Sequence, residues 1–503
     1  MKGVSTQSEL RRPRLAILGG GPGGYEAASV AAALGAEVTL VERAGMGGSA
    51  VLTDVVPSKT LIATADIMNR LGDANRMGVH FQHDAPSDAP QEDLAQEVAN
   101  ADMAEVNGRL LELAKEQSRD IKSALERAGV RIVHGEGVLV DPHHIRVSEP
   151  EKSGAEATDP ITEQADVAAT GEESGEVIEA DVILLAVGAR PRELPSAMPD
   201  GERIFNWTQI YQMTEVPEHL IVVGSGVTGA EFASAYNGLG AKVTLISSRD
   251  RVLPGEDADA AKVLEDVFEK RGMSVLAQSR AESVERTEDG VRVTLSDGRT
   301  VDGSHCLVAV GSIPNTAGIG LEEAGVKLTD SGHIRVDGVS RTSVPNIYAA
   351  GDCTGVLALA SVAAMQGRIA IAHLMGDSVK PLKLFQVASN IFTSPEIATV
   401  GVTEADIASG RYQGDVLKLA LKTNPRAKMM NVEDGFVKII SRRGSGTVIG
   451  GVVVGPRASE LIFPIAIAVT QKLHVDDLAN TFTVYPSLTG SISEAARRLH
   501  VYL

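Results

Sequence analysis

Glycines recur with one spacing, GxGxxG, at two places in the chain: Gly19, Gly21 and Gly24, and again Gly224, Gly226 and Gly229. Each group follows a short apolar stretch, RLAIL in the first case and LIVV in the second. Glycines in such a turn let the backbone approach a pyrophosphate, whose negative charge is favoured at the N-terminus of the following helix. A single GxGxxG is weak evidence, but two in the same context predict two dinucleotide-binding sites.

The similarity between the two segments extends beyond the glycines. Residues 19–42 and 224–247 match at 12 of 24 positions without a gap. Each segment supplies a glycine turn, a helix with small residues, a glycine stop and a second apolar strand. We therefore predict that one strand–turn–helix–strand unit is used twice.

The residue that ends the second strand differs between the two copies. Glu42 in the first copy is a carboxylate that can accept hydrogen bonds from ribose hydroxyls. Ser247 takes its place in the second copy, and Arg249 and Arg251 follow closely. A carboxylate would repel a 2′-phosphate, whereas serine beside arginines tolerates or attracts one. The second site is therefore expected to favour NADPH, with NADH still possible.

Length and composition agree with a chain of several α/β domains. At about 150 residues per domain, 503 residues allow roughly three. Beyond residue 380 the stretches FVKII, TVIGGVVV and ELIFPIAIAVTQKL indicate a further α+β domain of mixed sheet and helices. The predicted fold class is α/β, with two Rossmann-like dinucleotide-binding domains followed by this C-terminal α+β domain.

Charge and cysteine content exclude several classes of partner. The net charge of −19 argues against affinity for nucleic acid or an anionic membrane surface. Segment 149–181 holds eleven acidic residues against Lys152 alone, and it is expected to be a solvated insertion. Three features favour a cytoplasmic protein: the N-terminus is polar, no apolar run is long enough to span a membrane, and the chain has only two cysteines. No histidine is spaced with cysteine or glutamate as a ligand set, so no metal is expected.

A set of motifs in a fixed order connects the chain to a known family. They are GGGPGGYEAA, VPSKTLI, GSGVTGAEFAS, VAVGSIPN, VPNIYAAGDCTG, FTSPEIATVGVTE, NPRAKM and VYPSLTGSISEAARR. From about Arg14 to Arg498 the chain resembles the flavoprotein disulfide reductases, the group of lipoamide dehydrogenase, glutathione reductase and mercuric reductase. The resemblance implies FAD in residues 1–197 and 318–380, NAD(P)H in 198–317, and a homodimer formed through 381–503.

The resemblance also assigns individual residues. The FAD site would contain Gly19, Gly21, Gly24, Glu42, Lys59, Gly137, Asp352 and Ala360, with Asp352 bonded to the ribityl chain. The NAD(P)H site would contain Gly224, Gly226, Gly229, Glu231, Ser247, Arg249, Arg251 and Gly311. Lys59 and Glu231 would form an ion pair beside the isoalloxazine ring, where a cation stabilises the negative charge of the reduced flavin.

Two departures from the family pattern concern thiol chemistry. Members with a redox dithiol carry two cysteines where this chain has Ala50 and Val55. Its actual cysteines, Cys306 and Cys353, occupy segments with structural roles and are expected to be inert thiols. Such members also carry a histidine–glutamate dyad near the C-terminus, where this chain has Tyr485 and Gly490. Because both halves of the thiol machinery are missing, electrons are not expected to pass through sulfur.

These departures predict an FAD-dependent NAD(P)H:quinone oxidoreductase, most like the lipoamide-dehydrogenase-like quinone reductases. Hydride would pass from NAD(P)H to FAD and then directly to a quinone, with Lys59, Glu231 and Tyr485 in the catalytic site. A soluble pyridine nucleotide transhydrogenase is an alternative, since its relatives carry tyrosine at position 485, although they usually keep the glutamate that is Gly490 here. A second alternative is a weakly catalytic flavin protein that senses redox state or binds a complex. This alternative does not explain the presence of Lys59, Glu231 and the second nucleotide site.

Overall fold

A computed structural model describes residues 12–80, 100–149 and 175–500. The acidic insertion predicted over 149–181 lies outside the described residues except at its two ends. The described residues group into two compact units, the first within Met1–Pro57, Leu111–Arg190 and Ser312–Leu382, and the second within Ser58–Leu110, Pro191–Gly311 and Lys383–Leu503. The finer division into three domains stays a prediction.

The described part of the chain contains both strands and α-helices. The strands are β1 (Arg14–Leu18), β2 (Glu37–Glu42), β3 (Arg131–His134), β4 (Glu136–Asp141), β5 (His144–Ser148), β6 (Glu176–Glu179), β7 (Val182–Leu185), β8 (Ala189–Pro191), β9 (Ile204–Phe205), β10 (His219–Val223), β11 (Lys242–Ile246), β12 (Ser274–Leu276), β13 (Ala281–Arg286), β14 (Val291–Leu295), β15 (Thr300–Gly303), β16 (His305–Val308), β17 (Ser312–Pro314), β18 (Ile347–Ala349), β19 (Ala388–Ile391), β20 (Glu396–Gly401), β21 (Gly414–Ala420), β22 (Phe436–Arg442) and β23 (Val448–Gly455). The α-helices are α1 (Pro22–Ala33), α2 (Gly48–Leu52), α3 (Val55–Gly72), α4 (Met103–Arg127), α5 (Val227–Gly238), α6 (Ala258–Lys270), α7 (Ala360–Leu374), α8 (Glu404–Ala408), α9 (Pro425–Met429), α10 (Ala458–Leu461), α11 (Phe463–Gln471), α12 (Val475–Asn480) and α13 (Gly490–Arg498).

The first unit is built on a parallel five-stranded sheet with the order β18-β7-β1-β2-β3. Successive side chains of β1 point to opposite faces of this sheet. On one face, Leu15 and Ile17 pack with the small residues Ala27 and Ala31 of α1. Ala16 and Leu18 belong to a second core on the opposite face, with the antiparallel strands β4, β5 and β6. This doubly covered parallel sheet is the predicted Rossmann-like arrangement.

The second unit repeats the arrangement with the order β12-β11-β10-β16-β9, again parallel throughout. Its β10, glycine turn, α5 and β11 correspond to β1, the first glycine turn, α1 and β2. An antiparallel sheet of β13, β14 and β15 adds Val284 and Val293 to its core. The predicted internal repeat is therefore confirmed as two structurally equivalent units of strand, turn, helix and strand.

The C-terminal part of the second unit is an antiparallel sheet with the order β19-β20-β23-β22-β21. Val437 and Ile439 of β22 pack into a core with α11 and α13, where Ile465 and Ile492 are buried. The predicted α+β character of this region, and with it the fold class, is confirmed. Among the described residues, each helix is too short or too polar to span a bilayer.

Candidate active site

The first glycine turn joins β1 to α1 and leaves an opening at the helix N-terminus. Gly19 has φ +103°, and a Cβ there would lie 2.3 Å from the carbonyl oxygen of Ala186. A Cβ on Gly24 would lie 1.9 Å from the carbonyl oxygen of Gly19. A Cβ on Gly21, the residue immediately before α1, would meet nothing within 4 Å. Two of the glycines are thus required by close backbone packing, and the third keeps free the space where a helix N-terminus attracts phosphate.

The second glycine turn, between β10 and α5, has the same construction. Gly224 has φ +114°, and its Cβ would lie 2.2 Å from the carbonyl oxygen of Ala309. A Cβ on Gly229 would lie 1.9 Å from the carbonyl oxygen of Gly224, whereas one on Gly226 would meet nothing within 4 Å. The structure therefore forms two equivalent cradles, as the spacing of the glycines predicted.

Glu42 closes the first turn at the end of β2. Its Oε2 accepts a hydrogen bond of 2.6 Å from the backbone N–H of Gly20, and its Oε1 accepts one of 2.8 Å from that of Ala44. These two bonds fix the carboxylate at the mouth of the turn. It remains among the residues that line the adjacent cleft, where it is able to accept a further bond from a ribose hydroxyl.

A cleft in the first unit brings together most of the residues predicted to hold FAD. It encloses about 1610 Å³ of empty space, its open mouth included. The predicted residues on its wall are Gly19, Gly21, Glu42, Gly137, Asp352 and Ala360, while Gly24 is not part of that wall and packs against Gly19. Burial raises the pKa of Asp352, and the nearby His333 offsets this only in part. Three features fit a dinucleotide: the glycine cradle, the Glu42 carboxylate at its mouth, and the half-buried Asp352. The Asp352 carboxylate would accept hydrogen bonds from hydroxyl groups of such a ligand.

Ala50 and Val55 line the same cleft. Ala50 belongs to the short helix α2, and Val55 begins α3. Both are hydrocarbon side chains, so the wall at these positions is apolar. The structure thus places the two positions that departed from the family pattern in the cleft itself.

Both cysteines are free and completely buried. Cys306 lies in β16, and Cys353 follows Asp352 in a 3₁₀ turn. Burial raises the pKa of each thiol, that of Cys353 to about 12. The Cys353 Sγ donates to the carbonyl oxygen of Ala350 at 3.4 Å. A buried, protonated thiol is a poor nucleophile, so the described environments agree with inert cysteines.

The predicted ion pair of Lys59 and Glu231 is present within the second unit. Lys59 Nζ donates to Glu231 Oε2 at 2.7 Å, and Glu231 is only 4 % exposed. The other carboxylate oxygen, Oε1, accepts a bond of 2.8 Å from the backbone N–H of Phe392, whose ring centroid lies 5.3 Å from Lys59 Nζ. Phe392 was not predicted; its motif, FTSPE, was visible in the sequence without an assigned role.

The three residues predicted to select the nucleotide have different environments. The Ser247 hydroxyl is buried and lies 2.7 Å from that of Ser225 in the glycine turn. Arg251 folds back on its own loop, where Nη2 donates to the carbonyl oxygens of Pro254 and Glu256 at 3.2 and 3.4 Å. Arg249 is exposed. Of the two arginines, only Arg249 is exposed to solvent.

Gly311 and Tyr485, the remaining predicted residues of the second unit, are both accessible. Gly311 follows β16 with φ +98°, and a Cβ there would meet nothing within 4 Å. Tyr485 is 82 % exposed, and Phe482 and Val484 beside it are also largely exposed. The segment therefore presents an apolar surface that the described residues of its own chain do not cover.

Comparisons with known proteins agree with this construction. Residues 13–367 match the family model described as pyridine nucleotide-disulphide oxidoreductase, and residues 387–496 match the model of its dimerisation domain. The chain is 50 % identical over 495 residues to an NAD(P)H dehydrogenase (quinone) of Mycobacterium tuberculosis, covering 97 % of this chain and 94 % of the relative. It is 31 % identical over 483 residues to a dihydrolipoyl dehydrogenase of Geobacillus stearothermophilus, covering 95 % and 94 %.

Solved structures show the same fold over nearly the whole chain. The crystal structure of LpdA from Mycobacterium tuberculosis matches with a TM-score of 0.87 and 48 % identity, covering 97 % of this chain and 100 % of that one. The flavoprotein disulfide reductase RclA from Escherichia coli shares the fold with a TM-score of 0.80 at 22 % identity, covering 96 % and 99 %. The chain thus belongs to the pyridine nucleotide-disulphide oxidoreductase family and carries that family's dimerisation domain.

Proposed function

We propose that this protein is an FAD-dependent NAD(P)H:quinone oxidoreductase that works without a redox disulfide. One observation carries the proposal: the cleft that fits a dinucleotide is lined by Ala50 and Val55 where dithiol-using relatives have cysteines. The relative at 50 % identity that is named NAD(P)H dehydrogenase (quinone) supports it. FAD, when bound, supplies the chemistry of accepting two electrons from NAD(P)H and passing them to an acceptor.

The residues of the first unit would bind and orient the cofactor. The N-terminus of α1, kept open by Gly21, would hold the pyrophosphate, and Glu42 would accept from a ribose hydroxyl. Asp352 would accept from the ribityl chain. Lys59, Glu231 and Tyr485 are proposed as the residues with catalytic roles, as the family resemblance implies.

The apolar wall of the cleft favours a flat aromatic acceptor. Ala50 and Val55 present methyl groups at the positions where a disulfide would otherwise present sulfur atoms. A quinone is flat, largely apolar and reduced by two electrons, so it meets both the steric and the electronic requirement. A disulfide substrate would need a thiol partner in the cleft, and neither cysteine lines its wall.

A steady-state survey of acceptors tests the proposal directly. The purified protein with bound FAD is expected to reduce benzoquinones and naphthoquinones with NADPH or NADH, and to turn over lipoamide and glutathione disulfide negligibly. Efficient transfer from NADPH to an NAD⁺ analogue, faster than quinone reduction, would instead favour the transhydrogenase. Loss of flavin absorbance only over many minutes with NADPH would contradict both enzymatic interpretations.

We further propose that the chain forms a homodimer through its C-terminal region. The matched dimerisation domain supports this. Phe463 and Ile467 on α11, together with Phe482 and Val484, are large apolar side chains exposed to solvent on this chain. Exposed apolar groups of this kind are typical of surfaces that a protein partner covers. A cytoplasmic location likewise remains a prediction.

Arg249 is expected to set the preference for NADPH, and Arg251 is not. In Arg249→Gln the exposed guanidinium is lost, and with it a charge-assisted bond to a 2′-phosphate, so the ratio of kcat/KM for NADPH over NADH should fall by about tenfold. Arg251→Gln removes bonds to the loop's own carbonyl oxygens and should change that ratio little. Steady-state kinetics with both nucleotides measures the two ratios. A change of the ratio in the Arg251 variant alone would contradict the assignment.

A further inference from the structure

Lys438 is a buried charge without a role in the sites described above. Among the described residues, three charged residues are buried over their whole surface, backbone included: Glu42, Glu231 and Lys438. The two glutamates belong to the first glycine turn and to the ion pair with Lys59. Lys438 lies within β22 of the C-terminal sheet and is 1 % exposed. Because burying an ammonium group is costly unless it is paired, its partners indicate what it does.

Three carboxylates surround the Lys438 ammonium group. Nζ donates to both oxygens of Asp257 at 3.0 and 2.8 Å and to Glu404 Oε2 at 2.6 Å, and it lies 2.8 Å from Asp259 Oδ2. Burial by itself lowers the pKa of Lys438, but the bonds to Asp257, Asp259 and Glu404 outweigh it and raise that pKa above its ordinary value. The group therefore stays charged at any physiological pH.

Asp257 connects Lys438 to the start of α6. It is the N-cap residue of this helix, and its Oδ1 also accepts a bond of 3.1 Å from the backbone N–H of Ala260. Its side chain is only 4 % exposed. The loop of residues 247–257, which follows β11 and contains Arg249, ends at this residue. Lys438 thus fixes the point at which the loop joins the helix.

The same helix holds the loop at a second point, beside the glycine turn. Glu265 of α6 accepts a bond of 2.7 Å from the backbone N–H of Val252. The next residue, Leu253, donates its N–H to the carbonyl oxygen of Ser225 at 2.9 Å. Because Ser225 lies between Gly224 and Gly226, a shift of α6 would move the loop relative to the turn that would hold the pyrophosphate.

We propose that Lys438 is a positioning residue for the NAD(P)H site. It anchors the N-terminus of α6 to the C-terminal sheet and so holds the loop of residues 247–257 against the second glycine turn. The nucleotide site would then depend on a residue of the C-terminal region that touches no nucleotide. This inference rests on the proposed function, since it assumes that the second cradle binds NAD(P)H.

The test is the Lys438→Met variant of the FAD-loaded protein, titrated calorimetrically with NADP⁺. Methionine keeps the length of the side chain and removes its charge, which leaves three carboxylates without their shared partner. The Kd for NADP⁺ is expected to rise by roughly tenfold, the size usual for a residue that acts through a neighbouring element. The KM for a naphthoquinone should stay within about twofold of the wild-type value, because the first unit is untouched. A merely structural role would lower the thermal midpoint and leave both constants unchanged.

Two further variants separate positioning from loss of fold. Lys418→Met is the matched control, since Lys418 bonds the same Asp259 at 2.8 Å but is half exposed and contacts neither Asp257 nor Glu404 in the described ion pairs. It should leave the Kd for NADP⁺ within about twofold of the wild type, as expected of an exposed pair. Asp257→Asn keeps an N-cap acceptor and loses the charge, so it should reproduce the weaker binding and tests the inference even if Lys438→Met does not fold.

The outcomes distinguish this inference from the proposed function. Wild-type protein that binds neither NADP⁺ nor NAD⁺ would contradict the proposed function. Wild-type protein that binds NADP⁺ and reduces quinones, together with a folded Lys438→Met or Asp257→Asn variant of unchanged Kd, would contradict the positioning role alone. In the double variant the two effects should be less than multiplicative, because they act through one contact.

Discussion

Replacement of Gly226 by alanine is expected to weaken NADP⁺ binding by at least about tenfold while leaving the stability of the fold nearly unchanged. The backbone at Gly226 has φ −72° and ψ −173°, which alanine adopts without strain. A Cβ there would meet no protein atom within 4 Å, so the added methyl group enters only the space of the ligand. It would hold the pyrophosphate away from the N–H groups at the start of α5, each of which is worth about 1.5–3 kcal/mol to a charged acceptor.

Two opposing effects keep the expected change in stability small. Alanine reduces the conformational freedom of the unfolded chain, which stabilises the fold by up to about 1 kcal/mol. Alanine is also a poorer N-cap residue than glycine, which costs a similar amount. The free energy of unfolding should therefore change by less than about 1 kcal/mol, as measured by denaturant titration.

Gly229→Ala is the matched contrast in the same turn. Its Cβ would lie 1.9 Å from the carbonyl oxygen of Gly224, which is backbone and cannot move away cheaply. This variant should lose both nucleotide binding and about 3 kcal/mol of stability. If Gly226→Ala bound NADP⁺ as tightly as the wild type, the second cradle would not be the nucleotide site. The corresponding pair in the first unit, Gly21→Ala and Gly24→Ala, should affect retention of FAD in the same two ways.

The backbone of both sites could be predicted from the sequence because it depends on local rules. Glycine spacing, apolar strands and small residues on one helix face fix the strand–turn–helix unit, and the same pattern occurs twice. Glu42 ends β2 as predicted, whereas β11 ends at Ile246 and Ser247 is the residue that follows it. The similarity of the two segments does not predict the direction of the side chains that follow the second strand of each unit.

Side-chain directions in the loop after β11 depend on contacts distant in sequence. Ser247 was expected to face the nucleotide, but its hydroxyl pairs with Ser225. Arg251 was expected to face it as well, but the loop turns at Leu253, where φ is +51°, and Arg251 bonds the carbonyl oxygens of Pro254 and Glu256. The partners of Lys438 come from segments far apart in the chain. No local sequence pattern predicts such contacts, because each joins segments that are distant in the chain.

Anaerobic titration with NADPH is expected to reduce the protein by only two electrons per FAD, without a band from charge transfer between a thiolate and the flavin. An enzyme with a redox disulfide would take up twice as many, because the disulfide accepts a second pair. Here the two thiols are buried and free, and burial raises the pKa of Cys353 to about 12. Neither is able to form a thiolate near neutral pH. Uptake of four electrons would contradict the proposed route.

Two sets of variants test whether the absence of a redox disulfide limits the uptake to two electrons per FAD. Cys306→Ala and Cys353→Ala should leave the uptake of two electrons unchanged, since neither thiol takes part. Ala50→Cys combined with Val55→Cys would place two thiols on the wall of the cleft and should raise the uptake toward four electrons. Turnover of lipoamide should nevertheless stay poor in that double variant, because the tyrosine at position 485 is a weaker proton acceptor than the histidine that dithiol-using members carry there. Fast lipoamide turnover in the double variant would show that loss of the cysteines alone separates this chain from its disulfide-reducing relatives.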